Sequence, residues 1–452
     1  MHIGDERPGC SIPFFLLVCA PVMAVKMSWN AQWTAIGPIL SSSLTEPWKL
    51  QLIQLIGPFT GILVAPAVGV HSDRCTSKYG QRRPYMFISA LLTCICWGIM
   101  AYLKDWCGGN NDLYVSLTVI CYVWMDITCN VLQMVTYLLI ADVAGPRQVT
   151  GAAIAYLYGV VGQMVVSLYI SLAKSPVVTN QLPSFFAMLI SIMVITVVPV
   201  CYFVRENPWQ AIRRLDPRVA EFESEYPVRP TTIWTAWRVG IQTLPGPLAI
   251  YALALGFAQT GYHAYNTVKT GFFGVNIYHG ANCMQVNCTA DQKEKYDSGV
   301  NMASGAADQF YNAVAMLFLI FLPILIQRMG ARNVVIASFM PQCLFIVMAF
   351  IHPVWLSVLI VGLAAPSQYA TLALQVPLII HVCGIGDEKV VGLYLGALNT
   401  AICVGQIVTF ILSSVLSLTT QGNMLMVLLG GVFSALALGI MHFKFQVKMH
   451  SW

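Results

Sequence analysis

The chain has 452 residues, of which 57% are hydrophobic and only 10% are charged. Soluble domains carry about 25% charged residues, so the composition excludes an ordinary soluble protein and indicates a protein that lies in lipid. The formal net charge is +5, but no basic stretch is interleaved with aromatic residues as in RNA-reading domains, and we predict no nucleic-acid partner.

Twelve apolar runs, each long enough to cross a bilayer as a helix, follow one another along the chain. The first run follows a short polar start without a cleavage-site pattern, so we interpret it as a retained helix. The short alternating segments of a transmembrane barrel are missing, and we predict an all-α membrane protein. The runs lie near residues 12–41, 48–70, 84–104, 113–141, 151–173, 181–204, 243–268, 303–327, 333–351, 354–382, 391–418 and 423–443.

The basic residues predict the topology. If both termini are cytosolic, 17 of the 24 Lys and Arg residues lie in cytosolic segments and five lie outside, in agreement with the positive-inside rule. We therefore predict a multi-pass membrane protein with cytosolic termini. The plasma membrane is the first choice, and the membrane of a vacuole or vesicle is the alternative.

The link between the second and third runs reads "HSDRCTSKYGQRRP" over residues 71–84. Its aspartate and cations can form ion pairs, and its glycine permits a tight turn between the helix ends. Such pairs can close a gate in one state of a transporter and break in another; the alternative is a set of charges that only fixes topology. The predicted cytosolic gate comprises Gly69, Asp73, Arg74, Gly80, Arg82, Arg83 and, at the end of the fourth run, Asp142.

The fourth run, "VWMDITCNVLQMVTYLLIAD", places four polar side chains within about 60° of one helix face. They are Asp126, Asn130, Gln133 and Tyr137. A carboxylate at this depth is costly in lipid, so Asp126 is expected to face the interior of the helix bundle. There it could carry a proton, or it could be a structural aspartate that is hydrogen-bonded between helices.

A charged link at residues 205–242 separates six runs from six. After the eighth run, "RMGAR" at residues 328–332 echoes the glycine and the arginines of the link at 71–84. We predict three parts: an N-terminal six-helix bundle (1–204), a cytosolic linker (205–242) and a C-terminal six-helix bundle (243–452).

The stretch "SDRCTSKYGQRRP" resembles the signature of the sucrose:proton symporters, roughly S-D-R-C-T-S-R-F-G-R-R-R-P. These proteins form a family in the glycoside–pentoside–hexuronide branch of the major facilitator superfamily. In the eleventh run, "LGALNTAICVGQI" is similar to that family's L-G-x-L-N-x-A-I-x-V-P-Q, and the likeness continues in order along nearly the whole chain. The resemblance implies two pseudo-symmetric six-helix bundles, a substrate site near the midplane and alternating access.

The resemblance also implies that Asp126 couples transport to protons, and Asn130 and Gln133 match the family's D-x-x-x-N-x-x-Q spacing. Two departures concern charge. Tyr137 stands where the family carries an arginine, and Gly271 stands where it carries an acid. A tyrosine can stack on a sugar but cannot supply a fixed positive charge.

Two charged residues are candidates to replace the missing pair. Lys26, in the first run, is expected to pair with Asp126 in one state; the alternative is a lysine that snorkels to the membrane interface. Asp308, early in the eighth run, could replace the missing acid, or it could be a helix-end charge.

Further polar residues in the runs are candidates for a sugar site, because amides can bind hydroxyl groups and an aromatic face can cover a sugar ring. Each of them could instead form a hydrogen bond between helices. They are Trp29, Asn30 and Gln32 in the first run, Gln259 and His263 in the seventh, and Asn399 and Gln406 in the eleventh.

The longest outside loop contains "NCMQVNCTAD". Cys283 and Cys288 could form a disulfide there, and Asn287 begins an N-glycosylation acceptor pattern. The other cysteines lie mostly inside the apolar runs, and none has zinc-finger spacing with nearby histidines, so we predict no metal site.

We predict a secondary active transporter, most simply a monomer, that imports sucrose or a related small sugar with protons as the coupling ion. The alternatives are a transporter of a different solute, such as a glycoside, a polyol or an anion attracted by Lys26, and a transport-silent sugar sensor. The sequence has no phosphate-binding loop and no HExxH motif or nucleophile elbow, so we predict neither an enzyme nor any cofactor besides the proton.

Overall fold

The computed structural model describes residues 11–32, 47–73, 75–172, 182–206, 233–281, 288–384, 388–419 and 421–450. All regular elements in these ranges are helical. Because a helix satisfies its own backbone hydrogen bonds, this is the structure that a chain with such apolar runs must adopt in lipid.

The first span is made of two helices, α1 (Ile12–Cys19) and α2 (Pro21–Ala31). Pro21 lacks the backbone N–H that a continuous helix would use, so the chain is interrupted at Ala20 and restarts with proline in its first turn. The rest of the predicted first run, residues 33–41, lies outside the described residues.

Five long helices follow. The longest of them, α5, has 34 residues and begins after Asn110, whose side chain accepts a hydrogen bond from the backbone N–H of Leu113. The helices are α3 (Pro47–Asp73), α4 (Arg83–Trp106), α5 (Asn111–Ala144), α6 (Gln148–Leu172) and α7 (Leu182–Phe203).

The predicted cytosolic linker is partly helical, since α8 spans Ile233–Gln242, and residues 207–232 lie outside the described part of the chain. The seventh run forms α9 (Gly246–Gly271), which continues into a first π-helical segment, Phe272–Ile277. A polar helix of the predicted outside loop, α10 (Ala290–Asn301), begins with a capping box. It leads through a second π-helical segment, Met302–Ala307, into α11 (Asp308–Met329).

The remaining runs contain several short interruptions. Pro366 lies in the first turn of its helix, after a break at Ala364, because proline favours a helix start over a helix interior. The elements are α12 (Ala331–Cys343), α13 (Phe345–Met348), α14 (Val354–Leu363), α15 (Ala365–Ala373), α16 (Gln375–Cys383), α17 (Glu388–Leu416) and α18 (Gly422–Phe443).

Eleven helical stretches of the described residues are long and apolar enough to cross a membrane. The twelfth predicted span, α9, has 26 residues but is not among the eleven. Its sequence carries Gln259, His263 and Lys269, polar groups that reduce its apolar character. The length of α9, about 39 Å at 1.5 Å per residue, still suffices to cross the hydrocarbon core.

The chain folds as two compact units. Unit 1 contains residues 1–245 together with Gln375–Thr400, and unit 2 contains Gly246–Leu374 and Ala401–Trp452. The core of unit 1 includes the buried rings of Phe15, Trp97 and Phe185. The predicted division at the linker differs from these units in one segment, since residues 375–400 pack with the N-terminal part of the chain.

Candidate functional site

Asp126 lies in the middle of α5 and is fully buried. Three neutral side chains donate hydrogen bonds to its carboxylate: Gln32 Nε2 at 3.2 Å, Asn130 Nδ2 at 3.2 Å, and the hydroxyl of Thr60. The donors come from the end of α2, from α3 and from the next turn of α5. No ion pair within the described ranges includes Asp126, so its oxygens are satisfied by neutral donors.

The sequence analysis did not identify Thr60, which comes from an apolar run and lies 66 residues from Asp126. Gly57, one turn earlier in α3, gives the carboxylate room, because a Cβ atom there would lie 3.2 Å from Asp126 Oδ1. Thr60 and Gly57 lie on the same face of α3, and together they allow this face to pack against the carboxylate of Asp126. A polar residue with a glycine three positions away on one helix face was the available signal.

A second polar surface lies in unit 1 between α2, α5 and α6. Trp29 Nε1 donates a hydrogen bond of 2.8 Å to Gln133 Oε1. Asn30 Nδ2 donates to the backbone oxygen of Gln163 at 2.9 Å and to the hydroxyl of Ser167 at 3.4 Å. Trp29, Asn30 and Gln133 are all half-buried. Hydrogen bonds hold their side chains in place, and part of each side chain remains exposed.

Lys26 occupies a different part of α2 from the residues that bind Asp126. Its Nζ lies 5.6 Å from the ring centroid of Tyr156, and that ring stacks on Tyr137 with centroids 5.5 Å apart. Gly159 admits the lysine stem, because a Cβ atom there would lie 2.8 Å from Lys26 Cγ. The predicted pair of Lys26 with Asp126 is not formed in this structure; instead, Lys26 shares a cluster with Tyr137.

The predicted gate residues meet at the start of α4. The Arg82 side chain is 2% exposed and pairs with Asp73 and, through Nε at 3.1 Å, with Asp142. Its Nη1 also donates to the hydroxyl of Ser72 at 2.5 Å. The two acids raise the pKa of Arg82 against the opposing effect of burial, so the guanidinium is a permanent cation that joins the ends of α3 and α5. Arg74 lies outside the described residues.

A further acid completes this cluster. The carboxylate of Glu206, just after α7, accepts hydrogen bonds from the backbone N–H groups of Gln81, Arg82 and Arg83 at 2.8, 2.6 and 2.9 Å. Gly80, with φ of 112°, makes the turn, and a Cβ atom there would lie 2.9 Å from Glu206 Cβ. Burial raises the pKa of Glu206, and the backbone hydrogen bonds oppose that rise.

The sequence analysis did not single out Glu206, although an acid placed to face a helix N-terminus is a recognised stabilising arrangement. The glutamate follows directly on a predicted run in "VRENP". No spacing rule connects it with a helix start 123 residues earlier, so only the tertiary structure could reveal the contact.

Gly69, the other predicted gate glycine, lies against α17 within unit 1. A Cβ atom on Gly69 would lie 2.6 Å from the backbone oxygen of Gly392. One turn away, a Cβ atom on Gly396 would lie 2.6 Å from Pro66 Cα. Asn399, a predicted sugar contact, donates a hydrogen bond of 3.1 Å to the backbone oxygen of Gly61 and so joins α17 to α3 in this structure.

Unit 2 brings together three of the predicted polar residues. His263 Nε2 and Gln406 Nε2 lie 3.0 Å apart, and Gln259 Nε2 donates to the hydroxyl of Thr371 at 3.5 Å. An aromatic group that the sequence analysis missed adjoins them. Tyr262 stacks on Tyr311 with centroids 5.3 Å apart, and Tyr311 lies 6.1 Å from Tyr369.

Asp308, the candidate replacement for the missing acid of α9, has a cation of its own. Lys269 Nζ lies 2.5 Å from Asp308 Oδ2, and the two side chains are 17% and 25% exposed. Lys269 precedes the first π segment by three residues, and Asp308 directly follows the second. A Cβ atom on Gly271 would lie 2.8 Å from Asn423 Nδ2, so a larger side chain at this position requires the amide of Asn423 to move.

Cys288 is disulfide-bonded, while Cys283 and Asn287 lie outside the described residues. The predicted pairing and glycosylation therefore stay predictions. Among the residues that were described, no group of three or more His, Cys, Asp or Glu side chains could hold a metal ion.

The comparisons with known proteins find sugar transporters. The family described as "MFS/sugar transport protein" matches residues 15–221. The sucrose transport protein SUC3 of Arabidopsis thaliana is 23% identical over 401 residues, which cover 72% of this chain and 66% of that protein. The general alpha-glucoside permease of Schizosaccharomyces pombe is 26% identical over 60% of this chain and 50% of its own length. The matched region thus spans less than two thirds of either relative.

Two solved structures share the fold. The proton:xylose symporter XylE aligns with a TM-score of 0.59 and 14% identity, covering 96% of each chain. The Escherichia coli fucose:proton symporter FucP aligns with a TM-score of 0.65 and 12% identity, covering 96% of this chain and 99% of its own. The predicted major facilitator fold is confirmed by these alignments, and the relatives are transporters and not enzymes.

Proposed function

We propose that the chain is a major facilitator superfamily member of the sucrose:proton symporter type and that it imports sucrose or a related small sugar together with protons, in keeping with its similarity to the sugar transporters described above. The observation that carries the proposal is Asp126, an acid buried in the middle of a membrane-spanning helix and held by neutral donors from three helical segments. An acid at such depth is energetically costly, and ionisable residues inside membrane spans therefore usually have a function.

Protonation of Asp126 would change its hydrogen bonds. The carboxylate accepts from Gln32, Thr60 and Asn130, whereas a carboxylic acid must itself donate one hydrogen bond. At least one donor would then turn away, or the Thr60 hydroxyl would reverse its role. Because the donors belong to α3, α5 and the end of α2, a proton at Asp126 is expected to alter how these helices hold one another.

The sugar would bind to the half-buried polar surface beside Asp126. Trp29 and Gln133 hydrogen-bond each other, and sugar hydroxyl groups could replace that bond with donors and acceptors of their own. Tyr137 offers an aromatic face in place of a charge. Amide and aromatic groups of this kind are the ones that bind hydroxyl groups and cover a sugar ring.

Sugar uptake tests the proposal directly. Radiolabelled sucrose uptake into yeast is measured at about pH 5 and about pH 7.5 for the native chain, for Asp126→Asn and for Asp112→Asn, which changes an exposed acid at the start of the same helix. Faster uptake at the lower pH that only Asp126→Asn abolishes supports proton-coupled import. A native chain that is present at the cell surface and takes up no sucrose contradicts sucrose import, and the same result with radiolabelled maltose and glucose favours a sensor.

A second candidate, transport of an anionic solute, is favoured by Lys26. No carboxylate pairs with this lysine among the described residues, and its Nζ lies 5.6 Å from the ring centroid of Tyr156. A cation–π contact offsets part of the cost of an ammonium group away from water, and an anionic ligand would offset more.

The two candidates differ in what Lys26→Met should do. For an anionic substrate, uptake of glucuronate or glucose 6-phosphate should fall at least tenfold, and Lys26→Arg should restore it. Lys104→Met, at an exposed position of α4, is the control. If sucrose is transported and Lys26→Met leaves every solute unaffected, the anionic candidate is excluded and the sugar proposal stands.

A further inference from the structure

Two histidines of unit 2 lie side by side at the ends of helical elements that are distant in sequence. His279 follows the first π segment, and His352 lies between α13 and α14. Their ring centroids are 5.6 Å apart with an interplanar angle of 55°. Both residues are exposed, so an ion in solution could reach the rings.

The spacing of the rings fits a shared metal ion. Zinc binds histidine nitrogen at about 2.0–2.1 Å in tetrahedral geometry, which puts the centroids of two rings on one ion about 5 to 5.5 Å apart. The observed separation needs only a small adjustment to reach this range.

The backbone at His279 is held in place. Among the described residues, His279 is the one non-glycine residue with a positive φ, at 55°, a conformation that L-residues rarely adopt and that often marks a functional site. The residues on either side are fixed, since the backbone N–H groups of Tyr278 and Gly280 donate 2.9 Å hydrogen bonds to Phe273 and Gly274. The ring therefore projects from an ordered turn.

The backbone at His352 is restricted as well. The next residue, Pro353, is the N-cap of α14 and has φ of −62°. A proline limits the conformations of the residue before it, so His352 loses little freedom when its ring binds an ion. Two histidines on restricted backbone form a preorganised chelate. Most of the backbone entropy that an ion would otherwise have to remove on binding is already lost when the protein folds.

We propose that His279 and His352 bind one borderline transition-metal ion, of which Zn²⁺ is the one to test. Neutral imidazole suits Zn²⁺ and Cu²⁺ but not Mg²⁺, which takes oxygen ligands. No third protein ligand adjoins the pair among the described residues, so water would fill the remaining positions. The ion would tie the end of the first π segment to the start of α14 and would be a ligand distinct from any transported solute.

The test uses the purified full-length protein in detergent and needs no transport substrate. Thermal unfolding is followed with ZnCl2 and, as a control, with MgCl2. We expect Zn²⁺ to raise Tm in a saturable manner and Mg²⁺ to leave it unchanged. His279→Ala and His352→Ala should each abolish the zinc shift, whereas His381→Ala, which removes another exposed histidine, should preserve it. A shift that survives both single substitutions overturns the proposal.

A second measurement on the native chain avoids any effect of the substitutions on folding. Diethylpyrocarbonate modifies free imidazole, and mass spectrometry reports each histidine separately. At a zinc concentration about ten times the dissociation constant, a bound ion should slow modification of both residues about tenfold. Modification of His279 and His352 at unchanged rates in saturating Zn²⁺ also overturns the proposal, even if the protein as a whole is stabilised.

Discussion

Glu206 accepts a hydrogen bond of 2.6 Å from the backbone N–H of Arg82, so the residue that follows α7 holds the first turn of α4. The same carboxylate receives two further backbone N–H groups. Only a group with acceptors on both oxygens can serve all three donors, and a helix N-terminus favours a negative charge. These hydrogen bonds are a second interaction that holds the helices together at the predicted gate, and they do not involve the ion pairs of Arg82.

Glu206→Gln should therefore weaken the gate. One amide oxygen would replace two carboxylate oxygens, and the amide NH2 group would face a backbone N–H, at a cost of about 1–3 kcal/mol. We expect a lower Tm than that of the native protein. In proteoliposomes we also expect a changed transport rate at neutral pH, which approaches the native rate as the pH falls, because burial raises the pKa of Glu206 and native Glu206 then becomes protonated too. A difference that does not vary with pH would contradict the assignment.

Arg82→Met should destabilise the protein more than Arg82→Lys does. Methionine leaves Asp73 and Asp142 without their shared cation, and breaking a buried pair in this way costs about 3–5 kcal/mol. Lysine keeps the charge but cannot reach Ser72, Asp73 and Asp142 together as the guanidinium does. Thermal unfolding measures both, with Lys444→Met, at an exposed position after α18, as the control. Equal stability of all the variants would mean that the cluster contributes nothing.

Thr60→Val should lower sucrose uptake several-fold, while Thr60→Ser keeps it near the native level. Valine has the shape of threonine but removes the hydroxyl that donates to Asp126, whereas serine retains the donor. Thr267→Val is a matched control, because that hydroxyl bonds only to the backbone of its own helix, at 2.8 Å. Uptake that is lost in Thr60→Ser as well would indicate a packing defect instead of a lost donor.

Gly69→Ala should disrupt the contact between α3 and α17. The added Cβ atom would lie 2.6 Å from the backbone oxygen of Gly392, so one helix must move. Gly98→Ala is the control, since a Cβ atom there meets nothing within 4 Å and alanine favours the helix. We expect a lower Tm for Gly69→Ala and a Tm that is equal or higher for Gly98→Ala. No difference between them would show that α3 and α17 can separate without cost.

Much of the fold follows from local properties of the sequence. The spacing of apolar runs predicts the spans, and the cluster of Asp73, Arg82 and Asp142 follows from the charges at run ends. Helix α10 was missed because its residues are polar, although the capping box of Thr289 and Gln292 was a readable signal. Most predicted edges fall within about three residues of the observed ones, and the remaining differences arise because helix ends depend on caps more than on apolar character.

Residues of the candidate site that lie on the same helix could be predicted from the sequence, whereas contacts between helices could not. Asp126 and Asn130 share a face of α5 because their spacing requires it, and the structure places them around one carboxylate. Thr60, Glu206 and the stack of Tyr262 on Tyr311 depend on contacts between distant parts of the chain. Lys26 was assigned to Asp126 on charge alone, while the structure places it against Tyr156, because the faces of two helices cannot be oriented from sequence.

The contact of Gly69 with Gly392 is close in distance but gains little energy from each pair of atoms. Backbone meets backbone there, so no gap is left for water. Each pair of atoms in such a contact gains only about 0.1–0.2 kcal/mol in dispersion, and one carboxylate adjoins it, since a Cβ atom on Gly392 would lie 3.0 Å from Asp73 Oδ2. Such a contact depends on the absence of side chains at two positions, one in each helix, and not on any specific attractive group.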